Sequence, residues 1–462
     1  MTSFKLPAET LSGLNPNQAD MVASLHGPVL VSAGPGSGKT HSLVVRTANL
    51  IANGVPADEI LLVTFTNKAA QEAKDRVRNL TGAAGKKVWV MTFHSFASVL
   101  LRKFWQEAKL PKNWRVVTPN DAKSLVKAAI PKDLHGDVHE MMKTISTARN
   151  RGQTLETTVL PEKEVTFWSL YSKALADNEA VDFDDLIERL GLLLRNPDTA
   201  PIIQAMFQYV EVDEAQDLND PIYALIKNLC WHHRNLCMVG DYDQSLYSFR
   251  GSNPENLASF QKDWPGAKII RLDQNYRSTS TIVNAAAAII NDNASVHRGT
   301  LWTANEKGPG IVGVRATSVE EEAAFISADI ALARRNGEKL SQIAVLYRVN
   351  SQSKPFEDAF RKAGIRFKLL GDTKFFDRQE IRDAMAWIRF AANPTDGLSL
   401  ARATSVPRRG LGKVALEELM LLTAKRHDGN LLEALRAGVK AGTLSKTSTW
   451  AAVLADLDKI LA

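Results

Sequence analysis

Short apolar runs alternate along the chain with longer segments whose apolar residues recur at helical spacing. Residues 40–49 show this helical pattern after the first apolar run, and the pattern returns through Ala69 and Ala73 after the second. Strands that alternate with helices predict an α/β fold built on a doubly wound parallel sheet. The runs that we interpret as its strands are residues 29–32, 60–65, 88–93, 209–212 and 236–239.

A second set of elements follows the loop signal Lys307-Gly308-Pro309-Gly310. It predicts a strand at 311–314, a helix at 319–335 and a strand at 343–347. The stretch between the first and second parts of the first sheet domain is mostly helical and predicts an insertion. The predicted domains are the first sheet domain in two parts (1–95 and 195–273), the helical insertion (96–194), the N-terminal part of a second sheet domain (274–377) and a helical accessory subdomain (378–462).

Composition and charge narrow the class of protein. A chain of 462 residues is longer than a single hydrophobic core usually accommodates, so two to four domains are expected. Hydrophobic residues make up 45% and charged residues 23%, a soluble globular profile. The net charge of +6 permits a basic groove without demonstrating one. No run approaches the roughly 18 apolar residues of a membrane span, and the N-terminus has no signal-peptide pattern, so we expect a cytoplasmic protein with no membrane partner.

The two cysteines, Cys230 and Cys237, imply no disulfide framework. With His232 and His233 they suggest a metal site, but their spacing matches no recognised zinc pattern, so we do not favour one. Cys237 lies within an apolar run and is interpreted as a small buried residue.

A glycine-rich loop reads AGPGSGKT at residues 33–40, between a predicted strand and a predicted helix. Glycines allow backbone amides to approach phosphate oxygens, and the following helix N-terminus favours negative charge. Lys39 is expected to reach the β- and γ-phosphates, and Thr40 to bind Mg²⁺. The strict pattern has glycine where this chain has Ala33. The loop residues expected to bind nucleotide are Gly34, Gly36, Ser37, Gly38, Lys39 and Thr40.

Asp213 and Glu214 follow the predicted strand at 209–212. Carboxylates at the carboxyl end of a parallel strand face the ligand crevice. Asp213 is therefore expected to hold Mg²⁺, and Glu214 to orient and deprotonate an attacking water. An acidic pair after a strand is otherwise often a helix cap, but together with the glycine loop it predicts ATP hydrolysis.

The chain resembles the UvrD/Rep/PcrA family of superfamily 1 DNA helicases, in motifs that follow the family's order from Leu14 to about Gly412. This resemblance implies P-loop (RecA-like) motor domains with helical insertions. The motifs that carry it, beyond the two sites above, are LNPNQ at 14–18, TFTNKAA at 64–70, TFHS at 92–95, DFDDL at 182–186, GDYDQSLYSFRG at 240–251, LDQNYRS at 272–278 and the segments 346–357 and 371–384.

The resemblance also implies roles for single residues. Gln18 would contact the adenine edge and Tyr276 would stack on adenine. Gln244 would sense the γ-phosphate, and Arg277 would reach it across the cleft. The implied DNA contacts are Phe65, Thr66, Asn67, His94, Tyr247 and Phe249.

Some of these roles have ordinary alternatives. The aromatic residues Phe65, Tyr247 and Phe249 could instead pack into the core, as aromatic residues beside strands often do. As stacking partners they would contribute roughly 1–3 kcal/mol per base. His94 could contact phosphate or satisfy a local hydrogen bond.

Two departures from the family pattern stand out. His41 stands where the family has an arginine that sandwiches the adenine. An imidazole can still stack on the base as part of the nucleotide site, but it carries no fixed charge, so base affinity or selectivity is expected to differ. No segment after Gly412 resembles the family's later motifs, so we expect the second motor domain to be incomplete.

The resemblance implies ATP- and Mg²⁺-dependent translocation along single-stranded DNA, in the 3′-to-5′ direction, with duplex unwinding in repair or replication. The implied partners are single-stranded DNA and junctions of single- and double-stranded DNA. An alternative is a truncated or split nucleotide- and DNA-binding module with little activity alone, whose missing motifs a second polypeptide supplies.

Overall fold

The computed structural model describes residues 4–135, 137–246, 251–290, 299–370, 379–426 and 430–461. The chain divides into two units, Met1–Gly310 and Ile311–Ala462. The strands of the first unit are β1 (Val29–Ala33), β2 (Ile60–Thr64), β3 (Trp89–Thr92), β4 (Arg115–Val116), β5 (Ala180–Val181), β6 (Tyr209–Val212), β7 (Leu236–Gly240) and β8 (Lys268–Leu272).

Six of these strands form one sheet in the order β3–β2–β6–β7–β1–β8, with every neighbouring pair parallel. The five strands predicted from the sequence are confirmed as β1, β2, β3, β6 and β7. The sixth, β8, carries exposed Lys268 and Arg271 on the sheet edge, where charge discourages further strand pairing. Its apolar run is therefore too interrupted to stand out in the sequence.

Both faces of the sheet are covered, which explains the continuous apolar runs of its strands. Leu61 and Val63 of β2 pack into one core with Phe96 and Phe207, whereas Ile60 and Leu62 face the opposite core. The alternation follows from the pleat, which points successive side chains to opposite faces.

Helices surround this sheet and make up most of the predicted insertion. Thr66, two residues after β2, and Thr92, the last residue of β3, accept backbone hydrogen bonds as the N-caps of two of them. The helices of the first unit are α1 (Ala8–Ser12), α2 (Pro16–Ala23), α3 (Lys39–Ala52), α4 (Asn67–Thr81), α5 (Phe93–Lys103), α6 (Pro119–Ala129), α7 (Lys132–His135), α8 (Val138–Asn150), α9 (Glu162–Asp177), α10 (Phe183–Leu193), α11 (Ala200–Met206), α12 (Asp220–Cys230), α13 (Glu255–Ala258), α14 (Phe260–Asp263) and α15 (Ser280–Ile290).

A buried arginine joins α8 to α10 in the helical stretch. Arg149 Nη1 lies 3.0 Å from Asp182 Oδ2, and its Nη2 lies 2.5 Å from Asp185 Oδ1 and 2.8 Å from Glu188 Oε2. Asp182 and Asp185 also form the capping box that begins α10. The DFDDL motif thus has a structural role here, because its carboxylates hold a helix start against a neighbouring helix.

Carboxylates outnumber cations in this cluster. Burial, and then the charge of Asp182, raises the pKa of Asp184 to about 6 from an ordinary 3.8, against the opposing charge of Arg149. A carboxyl group whose pKa is raised on folding destabilises the folded state above that pKa, and the penalty fades as pH falls from about 6 towards 4.

Replacing Asp184 with Asn is therefore expected to raise the free energy of unfolding by about 1–2 kcal/mol at pH 7.5. Asparagine removes the buried charge and still accepts the hydrogen bond from Ser146. The gain should be clearly smaller at pH 5, where the wild-type carboxyl is largely protonated. Chemical denaturation at both pH values measures it, with exposed Asp198→Asn as control. A gain that does not depend on pH would contradict this origin.

The second unit is helical in its described residues. Its helices pack in two groups, one around Phe356 and Phe360 and one around Phe390 and Trp450. They are α16 (Val319–Arg335), α17 (Ser353–Lys362), α18 (Gln379–Ala392), α19 (Gly397–Ser405), α20 (Lys413–Arg426), α21 (Leu431–Ala441) and α22 (Thr447–Leu461).

The strands predicted at 311–314 and 343–347 were wrong for this structure, in which neither segment forms a strand. The helix predicted between them is confirmed as α16. Val312 is 80% exposed and Leu346 94% exposed. A strand exists only with a neighbour that pairs its backbone, and within the described part of this unit neither segment has such a neighbour.

Across the described residues, no helix is both long enough and apolar enough to cross a membrane.

Candidate nucleotide-binding site

The carboxyl ends of the six parallel strands meet at one edge of the sheet, where ligands of such folds bind. Each strand is followed there by residues that the sequence singled out. These are the glycine loop after β1, Phe65 to Asn67 after β2, Phe93 and His94 after β3, Asp213 and Glu214 after β6, Asp241 to Gln244 after β7 and Asp273 to Arg277 after β8.

The glycine loop takes a shape that only glycine permits at two positions. Gly36 and Gly38 have φ values of +66° and +81°. A Cβ on Gly36 would lie 2.7 Å from Asn275 Nδ2, and one on Gly38 would lie 2.9 Å from Gln18 Nε2. Ala33 needs no such freedom, because it is the last residue of β1 and pairs in register with Leu272. The departure from the strict glycine pattern therefore leaves the loop geometry intact.

Lys39 and Thr40 begin α3 and face the carboxylates after β6. Lys39 Nζ lies 3.4 Å from Glu214 Oε2, and Thr40 Oγ1 donates to Asp213 Oδ2 at 2.8 Å. Glu214 has a left-handed backbone, with φ of +55°. Such a conformation is uncommon away from glycine and is found at functional sites. Two of the four predicted catalytic residues, Lys39 and Glu214, are thus in contact; the other two are Gln244 and Arg277.

The site carries an excess of negative charge. Burial, and then the charge of Glu214, raises the pKa of Asp213, while Thr40 and Lys39 oppose the rise. Burial and Glu214 likewise raise the pKa of Asp217 to about 6. A divalent cation would relieve this repulsion, and the paired oxygens of Thr40 and Asp213 suit Mg²⁺, which protein carboxylates share with water and phosphate.

The described residues contain no group of three or more His, Cys, Asp or Glu side chains that could hold a metal ion. Both cysteines are buried free thiols.

A chain of hydrogen bonds leads from Glu214 to Gln244. Gln216 Nε2 donates to Glu214 Oε2 at 2.7 Å, and Gln216 Oε1 accepts from the backbone N–H of Asp241 at 3.0 Å. Asp241 Oδ2 in turn accepts from Gln244 Nε2 at 2.5 Å. The loop after β7 is therefore held through Gln216 to Glu214, the predicted catalytic carboxylate, and the sequence had assigned no role to Gln216.

Gln18 and Tyr276 lie on the other side of the glycine loop. Gln18 closes the capping box that begins α2 with Asn15, and its Nε2 donates to Ser37 O at 2.9 Å. Asn15 Nδ2 donates to Tyr276 Oη at 2.8 Å. Tyr276 is 47% exposed, so its ring is accessible for stacking. The two predicted adenine contacts are brought together through Asn15.

Asn275 fastens the start of the LDQNYRS segment to the loop. Its Nδ2 donates to Pro35 O at 2.7 Å, and its Oδ1 accepts from the backbone N–H groups of Arg277 and Ser278. Tyr276 N donates to Gly36 O at 2.9 Å. The exposed Arg277 side chain thus begins beside the loop. Asn275 lies within a motif quoted from the sequence, yet its own part becomes visible only from these contacts.

His41 follows Thr40 at the surface of α3. Partial desolvation, and then the positive charge of Arg76, lowers the pKa of His41 below its usual value. The imidazole is therefore neutral at pH 7 and offers no fixed charge to a nucleotide.

The predicted DNA contacts are only partly described. Phe65 is partly buried, and Thr66 and Asn67 are exposed at the start of α4. The ring of His94 packs edge-on against Phe183, with centroids 5.6 Å apart, and burial lowers its pKa. A neutral His94 is suited to a hydrogen bond rather than to a charge contact with phosphate. Tyr247 and Phe249 lie outside the described residues.

Comparisons with known proteins found two matching domain families and several similar proteins. Residues 14–265 match the UvrD/REP helicase N-terminal domain, and residues 270–431 match the UvrD-like helicase C-terminal domain. The chain is 39% identical over 421 residues to the ATP-dependent DNA helicase PcrA of Staphylococcus aureus strain Mu50 and, equally, to that of Staphylococcus epidermidis. The match covers 88% of this chain and 58% of each relative's length. This chain belongs to the UvrD/REP helicase family.

Proposed function

We propose that this chain is an ATP-dependent DNA helicase that moves along single-stranded DNA. The observation that carries the proposal is the pairing of Lys39 with Glu214 and of Thr40 with Asp213 at the sheet edge that also carries the predicted DNA contacts. Both curated relatives are ATP-dependent DNA helicases by name, which supports the same activity here.

In the proposed reaction, each residue acts on the phosphates or on the attacking water. The amides of the glycine loop and Lys39 hold the β- and γ-phosphates. Mg²⁺ bound by Thr40 and Asp213 would neutralise phosphate charge. Glu214 orients the attacking water and accepts its proton, and Arg277 stabilises charge at the γ-phosphate. Gln18 and Tyr276 position the adenine.

Gln244 is the proposed link between hydrolysis and DNA. It senses the γ-phosphate and is tied to Glu214 through Asp241 and Gln216. Phe65, Thr66, Asn67 and His94, with Tyr247 and Phe249, grip single-stranded DNA. We place translocation in the 3′-to-5′ direction, with unwinding at single-strand/duplex junctions during cytoplasmic repair or replication.

A second candidate function is a nucleotide- and DNA-binding module with little turnover of its own. Segments 311–314 and 343–347 favour it, because neither forms a strand and the predicted second sheet is therefore not formed in the described residues. A second polypeptide gains no support from the matched families or from the relatives.

ATP hydrolysis by this chain, with and without single-stranded DNA, separates the two candidates. A helicase motor hydrolyses ATP faster when DNA is bound, whereas a binding module binds nucleotide without turnover.

Replacing Lys39 with Ala is expected to weaken MgATP binding by about 10–100-fold, because one charged hydrogen-bond donor to phosphate is lost. Exposed Lys68→Ala is the matched control. Unchanged MgATP affinity in Lys39→Ala would refute the assigned site.

A further inference from the structure

A buried ion pair lies beneath the nucleotide site, inside the first unit. Arg46 on α3 and Glu211 on β6 are both 0% exposed, and Arg46 Nη1 lies 2.7 Å from Glu211 Oε1. Neither residue reaches the carboxyl edge where nucleotide is expected. A buried ion pair is weak evidence for stability, since apolar residues of similar size often serve as well. The geometry of its contacts is therefore the more informative feature of this pair.

Arg46 holds a third element besides α3 and β6. Its Nε and Nη2 donate to Ser24 O at 3.1 and 2.9 Å, and Nη2 also donates to Leu25 O at 3.1 Å. Ser24 is the C-cap of α2. One turn further along α3, Asn49 Nδ2 donates to Val22 O at 3.0 Å. The planar guanidinium therefore joins three elements in one fixed fork.

Glu211 accepts a hydrogen bond from a threonine of α3, as Asp213 does, but further from the carboxyl edge of the sheet. Side chains at alternate strand positions share a face, so Glu211 and Asp213 both point from β6 towards α3. Asp213 accepts from Thr40, and Glu211 accepts from Thr47 about two helical turns further on. The two contacts fix how far α3 can slide along β6.

The contacts of Arg46 also affect the side of the site where the adenine is expected to bind. Gln18 lies at the start of α2, and the end of α2 is the part that Arg46 holds. A short helix is rigid, so a shift at Ser24 is transmitted to Gln18. The spacing between Gln18 and the Thr40–Asp213 pair then depends on Arg46.

We propose that Arg46 and Glu211 are positioning residues that hold α2, α3 and β6 in one frame, and so keep the base-reading and metal-binding ends of the nucleotide site at a fixed distance. This inference rests on the proposed nucleotide-binding function. Neither residue touches nucleotide.

The test is an Arg46→Lys variant of the full chain, which keeps the charge opposite Glu211 but cannot form the fork to the carbonyls. The readouts are equilibrium binding of a fluorescent ATP analogue, competition by ATP and GTP, and the Mg²⁺ concentration at half-maximal binding. Because an ångström-scale misplacement costs up to about 10²-fold, we expect the ATP-over-GTP preference to fall by about 10-fold or more and the Mg²⁺ requirement to rise.

Two further variants separate positioning from stability. The double variant Arg46→Met/Glu211→Met replaces both charges with apolar side chains, so its Tm should recover relative to Glu211→Met alone. Its base preference should stay low, because the fork is still missing. Leu43→Ala, a buried position on the same helix, should lower Tm and leave the base preference unchanged.

The outcomes divide cleanly. If Arg46→Lys and the double variant both keep the wild-type base preference and Mg²⁺ dependence, this inference is overturned and the proposed function still stands. A base preference that follows Tm across all variants, including Leu43→Ala, would overturn it as well. A wild-type chain that binds no nucleotide would instead overturn the proposed function, and this inference with it.

Discussion

Replacing Glu214 with Gln is expected to lower DNA-stimulated ATP hydrolysis by about 10²–10⁴-fold, the usual contribution of a general base. The amide keeps the size of the side chain and can still accept a hydrogen bond from Gln216 Nε2. It cannot accept a proton from water. The charge beside Lys39 also disappears, which leaves the Nζ free for phosphate. MgATP binding should therefore be kept or strengthened while turnover is lost.

Steady-state hydrolysis with single-stranded DNA, beside equilibrium MgATP binding, measures this separation. Exposed Glu72→Gln on α4 controls for the loss of one surface carboxylate. Joint loss of binding and turnover in Glu214→Gln would show a structural role for Glu214. Unchanged turnover would mean that another carboxylate acts as the general base. Asp217 would be the first candidate, because burial and the charge of Glu214 raise its pKa to about 6.

Replacing Arg149 with Leu is expected to lower the free energy of unfolding of the helical stretch by about 3–5 kcal/mol at pH 7.5. The change leaves Asp182, Asp185 and Glu188 without their shared cation in a largely buried cluster. Burial, and then the charge of Asp182, already raises the pKa of Asp185 to about 6, and losing Arg149 would raise it further. Protonation relieves that repulsion, so the loss should be smaller at pH 5.

Denaturant titration at both pH values gives the size of the effect, and hydrogen exchange over α8 to α10 gives its location. Exposed Arg151→Leu, two positions along the chain, is the matched control. Wild-type exchange rates in α8 and α10 of Arg149→Leu would show that the ion cluster does not hold these helices together.

Local pattern was enough for the features that depend on short stretches of chain. Short apolar runs bounded by loop residues, such as that of β1, were sufficient to predict strands in the first unit, and the glycine loop needs positive φ at Gly36 and Gly38. Asp213 and Glu214 follow a predicted parallel strand, whose end must face the crevice. The same reasoning failed at 311–314 and 343–347, since an apolar run becomes a strand only beside a partner.

The parallel α/β class, the glycine loop and the family follow from the amino-acid sequence, because each is encoded in contiguous residues with a definite spacing. That Gln216 joins Glu214 to Asp241, that Asn275 holds Pro35, and that Arg46 joins α2, α3 and β6 became visible only in the folded chain. These contacts join residues far apart in the chain. No local periodicity records them, since a side chain's partner is set by which elements the fold brings together.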